Sequence, residues 1–246
     1  MTAKNPYILL SIGLFLTGIW LAPVAHLLLE STPLTALGIS MVILGAVCLV
    51  LGRTRPNISP EVSALFLETG LENIAMMVEE IGLSSKAVYL PSSMTNGMPK
   101  ALIPLHSSPS LPPIEKALPQ RLIVKYGPNP EDLGLLIITP GSATVKMLES
   151  ASASTPVEME NALSSVLTGM LDLVNTVRVS MTEESVTIEV SKPQMKYERL
   201  RLYECLGSPL ASIVAALVSE SLDKPIVVEH EVHDKNKSVI ELSILK

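Results

Sequence analysis

The sequence predicts an α+β protein. A transmembrane helical hairpin at the N-terminus precedes a soluble body of αββ units, with helices laid on a largely antiparallel sheet. Three observations predict it. Two apolar stretches, Tyr7–Leu29 and Pro33–Gly52, stand back to back and contain no Asp, Glu, Lys or Arg. A hydroxyl residue followed by proline recurs at Ser59-Pro60, Thr155-Pro156 and Ser208-Pro209. Each of these pairs opens a helical pattern, and two strand-like runs joined by turn residues follow it.

Each apolar stretch has the roughly 20 residues that a helix needs to cross the hydrocarbon core. Residues 1–56 are therefore read as a membrane hairpin with spans near 7–29 and 33–52. Lys4 precedes the first span, Arg53 and Arg55 follow the second, and the connecting turn holds only Glu30. Cations are retained on the cytoplasmic side, so both termini and the body are expected in the cytoplasm, at the cell membrane. A cleaved signal peptide fits poorly, because the first run is too long for its apolar core and a second span follows at once.

The spans carry their own packing pattern. Gly38, Gly45 and Gly52 recur every seven residues, which keeps them on one helix face. Gly18, Ala22 and Ala25 make a similar strip on the first span. Small residues let backbones approach closely, either between the two spans of one chain or between copies. Val42 is expected off that stripe. Pro23 marks a kink or the emergence of the first span into the interface, where Trp20 and His26 suit the headgroup region.

The body begins with a helix from Ser59-Pro60 to Gly82. Serine caps it, proline fits its first turn and glycine suits its left-handed end. Leu67, Leu71, Ile74, Met77, Val78 and Ile81 form the apolar stripe, and Glu68, Glu72, Glu79 and Glu80 the wet side. Strands are expected at Lys86–Leu90 and Lys100–Leu105 across a Thr95-Asn96-Gly97 turn. Ser107–Pro119 reads as a surface loop. Arg121–Tyr126 and Leu133–Thr139 read as strands, the second buried. Ser142–Glu149 stays open between strand and helix, and Ser150–Ser154 is a linker.

Thr155 and Glu158 form a capping box for a helix to about Asn175. A hairpin of Val177–Met181 and Ser185–Val190 follows. Ser208-Pro209 starts the last helix, to Leu222, with Leu217 facing inward and Glu220 on the wet side. Ile226–Val232 and Val239–Leu245 close the chain. These readings divide the body into a first α/β lobe, 57–150, and an αββαββ module, 151–246, which is expected to fold alone.

Charge and composition narrow the function. Hydrophobic residues make up 48% of the chain and aromatic residues 3%. Residues 57–246 hold 15 Lys and Arg against 23 Asp and Glu, an excess that repels phosphate backbones and argues against nucleic acid. Cys48 in a span and Cys205 in the body offer no disulfide framework and fit a reducing compartment.

Motifs for chemistry are few. His230 and His233 sit three residues apart on a strand and so point to opposite faces, wrong for chelating one ion. No zinc, calcium, P-loop, dinucleotide or Gly-x-Ser-x-Gly pattern is present. Gly207 and Ser208 start a helix where free amides could hold an anion, although the serine is explained as a cap. Gly141 and Ser142 resemble the start of a small-ligand loop, or a plain turn. No catalytic residue, cofactor or metal is assigned.

The stretches Ala87-Val88-Tyr89-Leu90-Pro91 with Ala101-Leu102-Ile103-Pro104-Leu105, Gly134–Gly141, and Pro209-Leu210-Ala211-Ser212 with Lys224-Pro225-Ile226-Val227-Val228-Glu229 resemble an uncharacterised family of archaeal membrane proteins, a domain of unknown function. The resemblance implies an archaeal source, a two-span hairpin and a cytoplasmic α/β body, and no activity. The C-terminal helix and strands are also similar to small-ligand-binding vinyl-reductase-like domains. The cysteines that mark their metal sites are missing here, so that function is not carried over. The expected function is thus a membrane-anchored cytoplasmic domain without enzymatic activity: an interaction module, scaffold or membrane-complex subunit. Its partners would be the lipid bilayer and a protein, or a second copy joined through the spans. The alternative is a ligand-sensing or enzymatic domain with a pocket between sheet and helix.

Overall fold

The computed structural model describes residues 6–54, 60–106, 112, 114, 117–147, 153, 155–194, 201–234 and 236–245. Lys4, Arg55, the Ser59 cap, most of the Ser107–Pro119 loop and all of the Ser150–Ser154 linker except Ala153 lie outside the described residues. The chain divides into two compact units, Met1–Glu68 and Thr69–Lys246.

The first unit contains α1 (Pro6–Leu27) and α2 (Thr32–Thr54). Both are long and apolar enough to cross a membrane. Their large side chains point outward, and Gly38, Gly45, Cys48 and Gly52 of α2 are buried. A Cβ on Gly38 would lie 2.6 Å from the Ala22 nitrogen, and one on Gly18 would lie 2.8 Å from both the Gly38 oxygen and the Val42 side chain. The two backbones approach where side chains are absent, which supplies the van der Waals contact that holds helices in lipid. Val42 therefore sits in this contact, not off it as the stripe predicts, because it packs into the space above Gly18. Helix α1 continues through Pro23 to Leu27.

In the second unit, one antiparallel sheet of eight strands runs in the order β3-β4-β2-β1-β7-β8-β6-β5. The strands are β1 (Val88–Leu90), β2 (Lys100–Pro104), β3 (Ile123–Lys125), β4 (Leu133–Ile137), β5 (Thr176–Met181), β6 (Ser185–Ser191), β7 (Ile226–Asp234) and β8 (Lys237–Ile244). The boundary expected near residue 150 falls inside this sheet, since β1 pairs with β7 through Val88–Val227 and Tyr89–Ile226.

Helix α3 (Pro60–Glu80) ends at Gly82, whose φ is +74°. The expected Thr95-Asn96-Gly97 turn is the end of a one-turn helix, α4 (Ser92–Thr95). Asn96 closes it in the left-handed region that Asn tolerates. The open question at Ser142–Glu149 resolves as helix: α5 (Pro140–Thr144) runs into a 3₁₀ turn at Val145–Met147. Helix α6 (Pro156–Ser164) starts at the Thr155–Glu158 capping box and widens into a π-turn over Ser165–Met170. The sequence reading has no element at α7 (Arg201–Leu206), which ends at Gly207.

Helix α8 (Pro209–Leu222) is the centre of the body. Ser208 caps it, accepting a hydrogen bond from the Ala211 amide, and eleven of its residues are buried. The window Leu202–Leu222 is also long and apolar enough for a membrane span, but 78% of it is buried inside the protein. It is a core helix. Tyr89, Ile103, Leu135, Ile188, Ile226, Ile240 and Leu242 of the sheet join it in the main core. A smaller core on the opposite face joins Val88, Leu90, Leu102, Leu118, Val124, Tyr126 and Leu136. So β1 and β2 are buried on both faces, whereas β6 alternates between buried and half-buried residues, as a strand with one wet face does. Of the apolar run ending β4, Leu135 and Leu136 are buried and Ile138 is exposed, just beyond the strand.

Candidate functional site

The α8 start, where sequence analysis places a candidate anion contact at Gly207 and Ser208, is occupied by the protein itself. Glu231 accepts the Ser208 amide hydrogen at 3.0 Å and also the Ser208 hydroxyl. His233 Nε2 lies 2.9 Å from the same carboxylate, and its Nδ1 lies 2.7 Å from Ser238 Oγ. A side-chain carboxylate thus meets the free amides and positive dipole end of α8, where an external anion would sit.

A β-bulge brings Glu231 there. Val228 pairs with Leu242, but His230 pairs with Glu241, so Glu229 is an extra residue. The insertion reverses which side chains face the helices. Glu231 and His233 lie opposite Ile240 and Ser238, which are buried against the helices, and His230 lies opposite Glu241 on the other face. The row Ser238–His233–Glu231 has the residue types of a hydrolytic triad. Ser238 is fully buried in the sheet, so no substrate reaches its hydroxyl, and the row acts as a clasp between β7, β8 and α8.

A second clasp grips the other end of α8. Glu220 accepts the Ser92 amide hydrogen at 2.8 Å and the Ser92 hydroxyl at 2.5 Å. This corrects the placement of Glu220 on a purely wet face: its helix is covered on nearly every side, and the carboxylate caps α4.

Gly141 and Ser142 lie in a packed contact. Ser142 Oγ accepts the Thr139 amide hydrogen at 3.0 Å, closing a capping box. A Cβ on Gly141 would collide with the Ser212 oxygen and the Ala216 methyl of α8. Both residues are buried, and helix-on-helix packing explains their size. Cys205 is buried, with Sγ 3.7 Å from the Leu83 oxygen.

Tyr89 is the most perturbed group. Its hydroxyl donates to the Leu206 oxygen at 2.7 Å. Burial raises its pKa well above the ordinary tyrosine value; the nearby Ser212 side chain partly offsets this, and the Glu231 charge adds to it. Tyr126 and Tyr203 shift the same way, both through burial, with Asp132 adding to the effect at Tyr126.

The open face of β5 and β6 carries two shallow depressions. One of about 380 Å³ is lined by Glu160, Arg178, Val179, Ser180, Thr187 and Glu189. A neighbour of about 280 Å³ shares Arg178 and Glu189 and adds Lys237, which pairs with Glu189 at 2.8 Å. Glu160 reaches from α6 to accept the Val179 amide hydrogen at 2.9 Å, which blocks part of the β5 edge. Sequence reasoning singles out none of Glu160, Arg178, Glu189 and Glu231, and reads Glu220 only as a wet-side residue. The one signal for Glu231 is its two-residue spacing to His233, which puts both on one strand face.

Among the described residues, no three His, Cys, Asp or Glu side chains gather as a metal site would need. In the first unit, Gly18, Gly38, Gly45 and Gly52 all lie in the α1–α2 contact, Gly45 against Phe15 and Gly52 against Ile8.

Comparison with known proteins gives no match among curated proteins and none among solved structures. The model of the family described as a domain of unknown function, DUF7982, matches residues 3–243, and the chain belongs to that family.

Proposed function

We propose that the chain is a cell-membrane protein of archaeal source that crosses the bilayer twice and keeps both termini and the body in the cytoplasm. The body is an interaction module, serving as a scaffold or subunit of a membrane complex. The flanking cations Lys4, Arg53 and Arg55 support the orientation. The family resemblance supports the source. The acidic body supports a partner other than nucleic acid.

One observation carries the interaction reading. Within the second unit, Ile74, Met77 and Ile81 are 43%, 46% and 43% exposed, next to a fully buried Val78 on the same stretch of chain. Apolar groups held in water beside a completed core are the mark of a surface that expects a partner.

Two experiments test the proposal. With Cys48 and Cys205 replaced by alanine, Ser31→Cys should react with an impermeant thiol reagent added outside intact cells, and Glu183→Cys should not. The reverse labelling overturns the topology. Extraction from native membrane in mild detergent should yield the chain with a companion at fixed ratio, and Met77→Gln should lose it. A chain that purifies alone under every mild condition overturns the interaction reading. The second reading, a ligand-sensing domain, draws on the depression between α6 and the β5–β6 face around Arg178. Saturable protection against thermal unfolding by a small molecule, lost in Arg178→Ala, would favour it.

A further inference from the structure

The α3 segment of the second unit carries two apolar rows, and the body uses one. Leu71, Ala75 and Val78 recur at helical spacing and pack into the main core. Ile74, Met77 and Ile81 recur at i, i+3 and i+7, roughly 90° further round at 100° per residue, and stay exposed. An amphipathic helix on a globular body needs one stripe about 100° wide. The second row exceeds that need. Its length, about 10 Å at 1.5 Å per residue, matches the i, i+3 or i+4, i+7 anchors of a docked helix.

Charge decides between occupants. Residues 60–85 contain Glu61, Glu68, Glu72, Glu79 and Glu80 and no Lys or Arg. Glu80 borders the exposed row, whereas Glu72 and Glu79 lie on the opposite side of the helix, beyond the row that packs into the core. Interfacial helices that lie on membranes carry Lys and Arg on their polar side to meet anionic lipid. This one would be repelled. A second copy would set the same glutamates and the same acidic body against each other, which costs affinity. A cationic apolar partner meets complementary potential and is steered toward it.

We propose that the Ile74–Met77–Ile81 row receives a basic amphipathic helix of a partner protein, with its apolar anchors on the row and its Lys or Arg side chains toward Glu80 at the row's border. This rests on the interaction reading above and adds the chemistry of the partner.

The test uses the full chain in phosphatidylcholine nanodiscs, with empty discs as background. The probe is a fluorescent 18-residue peptide of Leu and Lys arranged with one apolar helical face; its control is the same composition scrambled so that no such face exists. The patterned peptide should bind saturably, more weakly as salt rises, and better than the scrambled one. Met77→Gln with Ile81→Gln should weaken it by about tenfold or more, since two anchors are truncated. The replaced side chains are exposed, so the variant should melt like the parent. Should it not, Ile74→Gln alone supplies the comparison. Equal binding of both peptides, or binding indifferent to these variants, overturns the proposal. So does a particle with two chains that becomes one chain in Met77→Gln, which would give the row to a second copy. If the native companion depends on Met77 but the patterned peptide does not bind, the interaction reading stands and the basic helix falls. If the companion ignores Met77, both fall.

Discussion

Helix α2 and the Leu202–Leu222 segment are both long and apolar enough to cross a membrane, yet they are built inside out from each other. In α2 only 17% of the most apolar window is buried, and the buried positions are Gly38, Gly45, Cys48 and Gly52. In the segment containing α8, 78% is buried, Leu210, Val214, Leu217 and Val218 among it. Lipid is as apolar as leucine, so nothing is gained by hiding large side chains there, and contact comes from small residues. Water drives the large side chains of α8 under the sheet. Length and hydropathy alone do not separate these cases. Ser208 and Gly207, a cap and a left-handed break inside the apolar window, mark α8 as a helix of a soluble core.

The comparison can be broken in five ways. The largest effect is expected from cutting the body. A fragment of residues 152–246 loses β1, and with it the Tyr89 side chain against α8 and the pairing of β7. It should show no cooperative denaturant transition, while residues 69–246 should. A fragment that melts cooperatively would make the shorter piece a domain and leave α8 covered without β1. Next, Leu217→Asp puts an unpartnered charge at a fully buried site. It should cost about 4 kcal/mol or more and leave the body aggregated or unfolded by circular dichroism.

Third, Gly38→Leu asks the same question of the hairpin, where the added side chain meets the Ala22 backbone. Overpacking should cost about 3 kcal/mol, read as earlier loss of the detergent-resistant hairpin. Ile43→Leu, on the lipid-facing side, should be mild. Equal behaviour of the two variants would remove the inside-out distinction. Fourth, Glu220→Ala leaves the Ser92 amide and hydroxyl without their acceptor. Hydrogen bonds to a half-buried carboxylate are worth about 2 kcal/mol, so the denaturation midpoint should fall with an unchanged slope.

The smallest effect belongs to Tyr89. Its folded pKa is raised by burial, so the stability it contributes is fully present below the unfolded tyrosine value of about 10 and is lost as pH rises above that toward the folded value. Denaturant melts from pH 8 to pH 11, round values bracketing that unfolded pKa of about 10, should show falling stability at the alkaline end. Tyr89→Phe should cost about 1 kcal/mol at neutral pH and flatten that decline. A variant with an unchanged alkaline slope would shift the cause to Tyr126 or Tyr203.

Elements whose cause lies within a few residues are legible in the chain. The two spans, the Thr155–Glu158 capping box, the Ser208 cap, the Gly82 stop and the β5–β6 and β7–β8 hairpins each follow from local spacing, propensity or capping chemistry. Long-range features are not legible. Glu229 is the bulged residue only because β8 supplies the register, and that register sends Glu231 to the α8 amides. Glu220 looks solvated on a helical wheel until Ser92 arrives from 128 residues away. Val42 looks harmless until Gly18 of the other helix faces it. At the candidate anion position Ser208 is legible as a cap, whereas Ser142 reads as a loop or turn residue until the structure shows it closing a capping box with Thr139; what fills the space beside either serine is not legible.

The sequence by itself therefore determined the class of protein, the two N-terminal helices long and apolar enough to cross a membrane, and most of the elements, because hydrophobic period, caps and turn residues act through neighbours in the chain. Only the tertiary structure decided that β1 joins β7 in one eight-stranded sheet, that α8 packs against it in the main core, and that α3 keeps a row of apolar residues uncovered. Those outcomes depend on which surfaces meet once the chain has collapsed. That is settled by the summed burial of residues far apart in sequence, and no local pattern records it.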